Sequence, residues 1–269
     1  MHATSYEQLT LEIADHIALI TLNRPERMNA MGVQLTRELQ IALNEVASNP
    51  EARVLILTGA GGRAFCTGAD LKERASLDAA GRWAHNRAIN DCGNTLARMA
   101  IPTIAAVNGM ALGGGCEISL ACDFRLAADH VEFGLPEVGL GVIPGAGGTQ
   151  RLPRLIGATR AKELIFTGRR IGADVALEWG LVSQVTSADR LLSTAQEFAA
   201  LIARRSPLAV TYAKAAIDIG LESSLEQGQR YETSAMRAVI TSEDYQIGLA
   251  AFAAKEEPVF PPLPAQRIV

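Results

Sequence analysis

The spacing of apolar positions changes along the chain, and each change marks an element. Ile17 to Leu22 (IALITL) is an apolar, β-branched run that stops at Asn23-Arg24-Pro25, which predicts a strand. Leu35, Leu39, Leu43 and Val46 then lie on one stripe at helical spacing. Val54 to Thr58 (VLILT) reads as a buried strand ended by the turn run Gly59-Ala60-Gly61-Gly62. Ala79 to Met99 predicts a long helix closed by Ile101-Pro102, and Thr103 to Val107 a short strand ended by Asn108-Gly109. Several strands are apolar throughout rather than alternating, which suits strands covered on both faces. Strand-helix-strand order implies right-handed crossovers in an α/β fold.

Past Gly157 the pattern turns helical. Ala158 to Thr167, Ala173 to Trp179, Ala188 to Arg204, Leu208 to Leu221 and Leu225 to Ala254 predict helices, with Leu181 to Val185 the one strand. The expected organisation is an α/β core over residues 1–200 and a helical region over 201–269. No Ser- or Pro-rich linker separates them, so the helical region is expected to dock on the core or on a neighbouring subunit. The end, PVFPPLPAQRIV, is Pro-rich and predicts an extended segment.

Composition narrows the function. The chain has 269 residues, 48% hydrophobic and 20% charged, as ordinary soluble proteins do. Its net charge of -4 gives no electrostatic footprint for nucleic acid. No run of eighteen apolar residues predicts a membrane span, and MHATSYEQLTLE does not read as a signal or transit peptide. Cys66, Cys92, Cys116 and Cys122 form no C-x-x-C pair, so free thiols and a cytoplasmic, reducing location are expected. His2, His16, His85 and His130 are scattered, so no metal site is expected.

The candidate chemistry lies in two Gly-rich segments. Asn108-Gly-Met-Ala-Leu-Gly-Gly-Gly-Cys-Glu117 follows a strand and opens a helix, Gly114 to Ala121. Three glycines there serve either tight strand-helix packing or close approach of a ligand to free N–H groups, which stabilise phosphate or a transient oxyanion. The order does not fit a dinucleotide fingerprint. The second segment, residues 133–149, carries Glu137 among Leu135, Val138, Leu140 and Val142. A carboxylate in an apolar loop has its pKa raised and suits general acid work, although an exposed loop glutamate fits the same pattern. Glu117, in the first turn of a helix, is expected to favour its charged form. Two carboxylates in unlike surroundings can hold different protonation states in one site.

These segments resemble a known family. The run IPTIAAVNGMALGGGCEISLACDFRLAA, residues 101–128, is similar to the signature of the crotonase superfamily, the enoyl-CoA hydratases and isomerases. NRPERMNAM at 23–31, AFCTGADLKE at 64–73, FGLPEVGLGVIPGAGGTQRLPRLIG at 133–157 and GLVSQV at 180–185 follow in family order. The resemblance implies a spiral of β-β-α turns followed by helices that form a homo-oligomer, a trimer or dimer of trimers. It implies a hydro-lyase that reversibly adds water across the 2,3 double bond of a 2-enoyl-CoA thioester, with a role in fatty acid metabolism.

The same resemblance assigns residues. The N–H groups of Ala69 and Gly114 form the oxyanion hole; Glu117 activates water and Glu137 exchanges the α-proton; Gly145 orients the water. Ala69, Asp70, Leu71, Lys72 and Gly114 line the coenzyme A site, and Arg24, with Arg27, is a further phosphate contact. No cofactor is implied, since coenzyme A is part of the substrate. Thr67 is a mild departure, standing where many members carry a smaller residue. An isomerase, a branched-chain hydratase of the 3-methylglutaconyl-CoA kind, suggested by GADLKERA and AKELIFTGR, and a catalytically silent acyl-CoA-binding protein are the alternatives.

Overall fold

A computed structural model describes residues 6–263. Its first two strands, β1 (Leu9–Ala14) and β2 (Ile17–Leu22), form an antiparallel hairpin. The turn between them places Asp15 and His16 at φ 49 and 66°, the left-handed pair that matches the twist of a two-residue hairpin. From β2 the sheet continues in parallel through β3 (Val54–Gly59), β5 (Thr103–Val107), β7 (Phe124–Ala128) and β10 (Gln184–Thr186). A second sheet runs in the order β4 (Ala64–Cys66), β6 (Met110–Leu112), β8 (Glu132–Gly134) and β9 (Arg170–Gly172).

Each turn of chain thus contributes a strand to the first sheet, a short strand to the second, and then a helix. β3 and β4 lead to α2 (Leu71–Ala75) and α3 (Ala79–Ala97); β5 and β6 lead to α4 (Gly114–Ala121); β7 and β8 lead to α5 (Gly148–Ile156) and α6 (Ala158–Thr167). This is the spiral of β-β-α turns that the resemblance implies. α1 (Val33–Ser48) packs on α3 and on the hairpin, while α8 (Leu191–Ala203) lies across β2, β3, β5 and β7. α8 buries Leu191, Ala195, Ala199 and Ala203, four residues apart, so one helical stripe covers the sheet. The full burial of β3 follows from cover on both faces.

Four expectations are corrected. β1 was not anticipated: Leu9, Leu11 and Ile13 alternate with Thr10 and Glu12, a half-buried edge pattern rather than an apolar run. β9 lies inside the stretch expected to hold one strand only, and the strand expected over 181–185 sits at Gln184–Thr186. The helix expected over 225–254 is two, α10 (Leu225–Ile240) and α11 (Glu243–Ala254), because the Ser242 hydroxyl accepts from the Tyr245 N–H and starts a new helix. The extended end is described only to Leu263, and residues 264–269 lie outside the described residues.

α9 (Pro207–Leu221) docks through Lys214, whose ammonium lies 2.7 Å from Asp123 and donates to the Ile101 carbonyl. Among the described residues, several large apolar side chains of the helical region stand exposed. Leu221, Leu225 and Phe252 are 82, 78 and 85% exposed. A cavity of about 800 Å³, lined in part by Phe124, Leu155, Leu201 and Ile217, opens beside α9. No helix among the described residues is long and apolar enough to cross a membrane.

Candidate active site

The site is built where the second sheet hands the chain to α4. Gly113, at φ 53°, turns the chain out of β6, and its N–H donates to the Gly134 carbonyl of β8. That leaves the Gly114 N–H at the first position of α4, where no carbonyl of the helix can reach it. Every other residue of α4 is buried, while Gly114 is half-exposed. A Cβ on Gly68, which has φ +82°, would stand 2.8 Å from the Gly114 nitrogen. Glycine at 68 therefore supplies both the left-handed turn and the room for two backbones to meet.

Ala69 sits next to that meeting point. It forms a parallel bridge with Met31, in which Met31 N–H donates to Gly68 and Asp70 N–H donates to Met31. In a parallel bridge the central residue's own N–H points away from its partner. The Ala69 and Gly114 N–H groups consequently both lie outside the backbone ladders, on backbone segments that meet at Gly68 and Gly114.

Glu117, one turn into α4, is 3% exposed. Its Oε1 accepts from Ala146 N–H at 2.7 Å and Gly148 N–H at 2.8 Å. Burial raises its pKa, while these two N–H groups and the Arg151 guanidinium pull it back down. The outcome is a net rise, which corrects the expectation that the helix start would favour the charged form. Desolvation outweighs a dipole confined to one turn.

Glu137 lies in a 3-10 turn, Pro136–Leu140, and is half-buried. Its Oε2 is buried without a hydrogen-bond partner among the described residues, and a Cβ on Gly113 would meet its Oε1 at 3.0 Å. Burial first, and the Glu117 charge second, push its pKa up to about 7. The direction agrees with the expectation, but the surroundings do not. Val138, Leu140 and Val142 are exposed, and Leu135 alone of the four neighbours is buried. The proximity to Gly113 and Glu117, and not the flanking apolar residues, places this carboxyl. Two carboxyls twenty residues apart in sequence thus face one another electrostatically across the start of α4.

The remaining predicted residues divide. The Gly145 carbonyl accepts from Asn90 Nδ2 at 3.2 Å and Asn86 Nδ2 at 3.4 Å, so the loop beside Glu117 is tied to α3. Leu71 and Lys72 are exposed on α2. Asp70 is buried as the cap of α2, accepting from Lys72 and Glu73 N–H, and pairs with Arg24 at 3.2 Å. Arg24 also donates to the Ala30 carbonyl at 2.7 Å. These contacts hold Arg24 and Asp70 to the Met31 bridge, and Arg27 is exposed beside them. The Thr67 hydroxyl donates to Met28 O at 3.4 Å. All four cysteines are free and buried, and among the described residues no group of three or more His, Cys, Asp or Glu could hold a metal ion.

Sequence reasoning passed over Ala146, Gly148, Asn86, Asn90, Asn94 and Arg151. The asparagines recur every fourth residue along α3 and so share one helical face, a signal available in the sequence.

The Enoyl-CoA hydratase/isomerase family model matches residues 12–262. The chain is 40% identical to the short-chain-enoyl-CoA hydratase of Clostridium acetobutylicum over 251 residues, covering 92% of this chain and 95% of that protein. It is 39% identical to the crotonyl-CoA hydratase of Syntrophomonas wolfei over 260 residues, covering 95% and 98%. A crystal structure of an enoyl-CoA hydratase from Bacillus anthracis matches with a TM-score of 0.93 and 46% identity, over 94% of this chain and 99% of that one. The chain belongs to the enoyl-CoA hydratase/isomerase family, within the crotonase superfamily.

Proposed function

We propose that this protein is a hydro-lyase that reversibly adds water across the 2,3 double bond of a 2-enoyl-CoA thioester. The observation that carries the reading is the grouping of two laddered-out N–H donors with two carboxyls of unlike surroundings around Gly113 and Gly114. The Ala69 and Gly114 N–H groups donate to the thioester oxygen as it gains charge, which lowers the barrier without a cofactor or metal. Glu117 takes a proton from water as the C3–O bond forms, and the electron pair of the double bond moves to the thioester oxygen. Glu137, protonated, gives its proton to C2 as the enolate collapses. The single proton now on Glu117 returns to Glu137, and the net change is one water added. The Gly145 N–H orients the water.

Ala69, Asp70, Leu71, Lys72 and Gly114 are assigned to coenzyme A, with Lys72 and Arg27 free to reach phosphate. Arg24 is assigned there more weakly, since Asp70 already neutralises it. Short, straight acyl chains are favoured by likeness to relatives named for short-chain and crotonyl substrates. Residues 1–200 form the catalytic unit, and the protein is placed in the cytoplasm, which suits four buried free thiols. Residues 201–269 assemble a trimer or dimer of trimers, covering the exposed Leu221, Leu225 and Phe252. Light scattering tests the assembly, and a 28.6 kDa particle refutes it.

Hydration of crotonyl-CoA, with 3-methylglutaconyl-CoA alongside, tests the activity. Glu117→Gln and Glu137→Gln each lower kcat by at least about 10²-fold, the scale of a positioned acid or base. Near-normal turnover in both variants overturns the reading.

A further inference from the structure

Glu117 is held by a loop, and the loop is itself held from behind. The peptide joining Gly145 to Ala146 is gripped at both ends. Its carbonyl accepts from Asn90 and Asn86 of α3, and its N–H donates to Glu117 Oε1. A planar trans peptide points these two groups in opposite directions, so drawing the carbonyl toward α3 aims the N–H at Glu117. The next peptide is gripped by Arg151 of α5, whose Nη1 donates to the Ala146 carbonyl at 3.0 Å. Arg151 Nη2 donates to Asn94 Oδ1 at 2.9 Å, and Asn94 Nδ2 donates to Asn90 Oδ1 at 2.8 Å. The chain of contacts therefore closes on itself, from the loop through α5 to α3 and back. Gly147, at φ +107°, completes the fit: a Cβ there would stand 2.0 Å from Arg151 Nη1.

We propose that Arg151, through the Ala146 carbonyl and Asn94, is the positioning residue of Glu117, fixing the peptide units that hold its carboxylate against the reacting water. This inference rests on the assignment of Glu117 to water activation. Arg151 touches no substrate in this scheme and acts through the loop. Its planar fork suits the task, since two acceptors on different elements are met by two nitrogens of one rigid group.

The guanidinium is also the cation that faces Glu117. Glu137 faces it with like charge from the 3-10 turn, and the buried Cys116 thiol adjoins it on α4. From α3 the loop and Arg151 meet the neutral Asn86, Asn90 and Asn94. Arg151 in turn meets Arg98 at the end of α3, Glu222 after α9 and Cys122 after α4. Removing its charge therefore leaves Glu117 desolvated beside Glu137 with no compensating cation, and its pKa rises further.

The test compares Arg151→Gln, Arg151→Lys, Asn94→Ala and Glu117→Gln in crotonyl-CoA hydration across pH. Arg151→Gln is expected to lower kcat by about 10²-fold, the effect of a misplacement near 1 Å, with KM unchanged. Its acidic limb moves to higher pH. Arg151→Lys returns the limb toward its original position, because the charge is restored, yet recovers only part of kcat, because an ammonium cannot bridge both acceptors in the same plane. Asn94→Ala gives a smaller loss of kcat with the limb in place. Wild-type kcat and an unmoved limb in Arg151→Gln overturn the proposal. Should that variant fail to fold, wild-type behaviour of both Arg151→Lys and Asn94→Ala overturns it. An active Glu117→Gln enzyme sinks the underlying reading instead, whereas an inactive one beside a normal Arg151→Gln enzyme sinks this inference alone.

Discussion

Glu117 and Glu137 have the same side chain and face the same space, but the protein treats them differently. Glu117 is buried in α4, with one oxygen held by two N–H groups and a guanidinium nearby. Glu137 stands on a short 3-10 turn, half-buried, with one oxygen that no group among the described residues satisfies. The first surroundings fix a carboxylate in place and offset part of the cost of burying its charge; the second offer one oxygen no such offset. The contrast is one of hydrogen bonding rather than depth, since burial raises both pKa values. A site that must accept a proton at one atom and donate it at another needs this asymmetry.

The sharpest way to break the contrast is to crowd Glu117 without changing it. A Cβ on Gly148 would meet Glu117 Oε1, Leu135 Cδ1 and Pro144 Cβ, each at 3.0 Å. Leu135 is fully buried and cannot retreat, so the carboxylate and the loop must shift. Gly148→Ala is expected to lower kcat by about 10²-fold while coenzyme A thioester binding, measured by calorimetry, stays near normal. An unaffected kcat would mean that Glu117 does not depend on its two N–H donors.

How much of this contrast could be read beforehand depends on what carries it. The motifs around Gly113–Gly115 and Pro136–Glu137 are local, so the sequence marked both glutamates and the turn glycines. Regular elements with strong periods were legible as well: Leu35 to Val46 lies in α1, and VLILT forms β3. The alternating edge strand β1 escaped a search for apolar runs, and Ser242 broke a helix whose period continues through it. Of the holding contacts, only the shared face of Asn86, Asn90 and Asn94 was legible. Ala146 and Gly148 reach Glu117 across 29 and 31 residues, and Arg151 meets Asn94 across 57. Backbone donors leave no residue type to notice, and only the closing of the spiral brings them within reach. The same limit explains the false lead at Glu137, where Val138, Leu140 and Val142 point into solvent.

The smaller effect is the more discriminating one, and it follows Glu137 through its titration. With Glu137 raised to about 7, the pair of carboxyls holds one proton below that pH and loses it above. In the proposed mechanism hydration starts with the proton on Glu137 and dehydration with it on Glu117, so both directions need the singly protonated pair. Microscopic reversibility then gives them one shared profile: kcat/KM for each falls about tenfold per pH unit above about 7. Stability follows from the same proton. In the unfolded chain Glu137 titrates near its ordinary value of about 4.3. Between that value and about 7 the native state binds more protons than the unfolded one, so stability falls as pH rises through this window and is level beyond it. Glu137→Gln cannot ionise and escapes the loss. Its melting temperature should match the parent near the lower end of the window and exceed it by a few degrees above the upper end, although its catalysis is gone. A constant gap at both ends would show that Glu137 titrates as an ordinary surface glutamate, and the asymmetry between the two carboxyls would then rest on Glu117 alone.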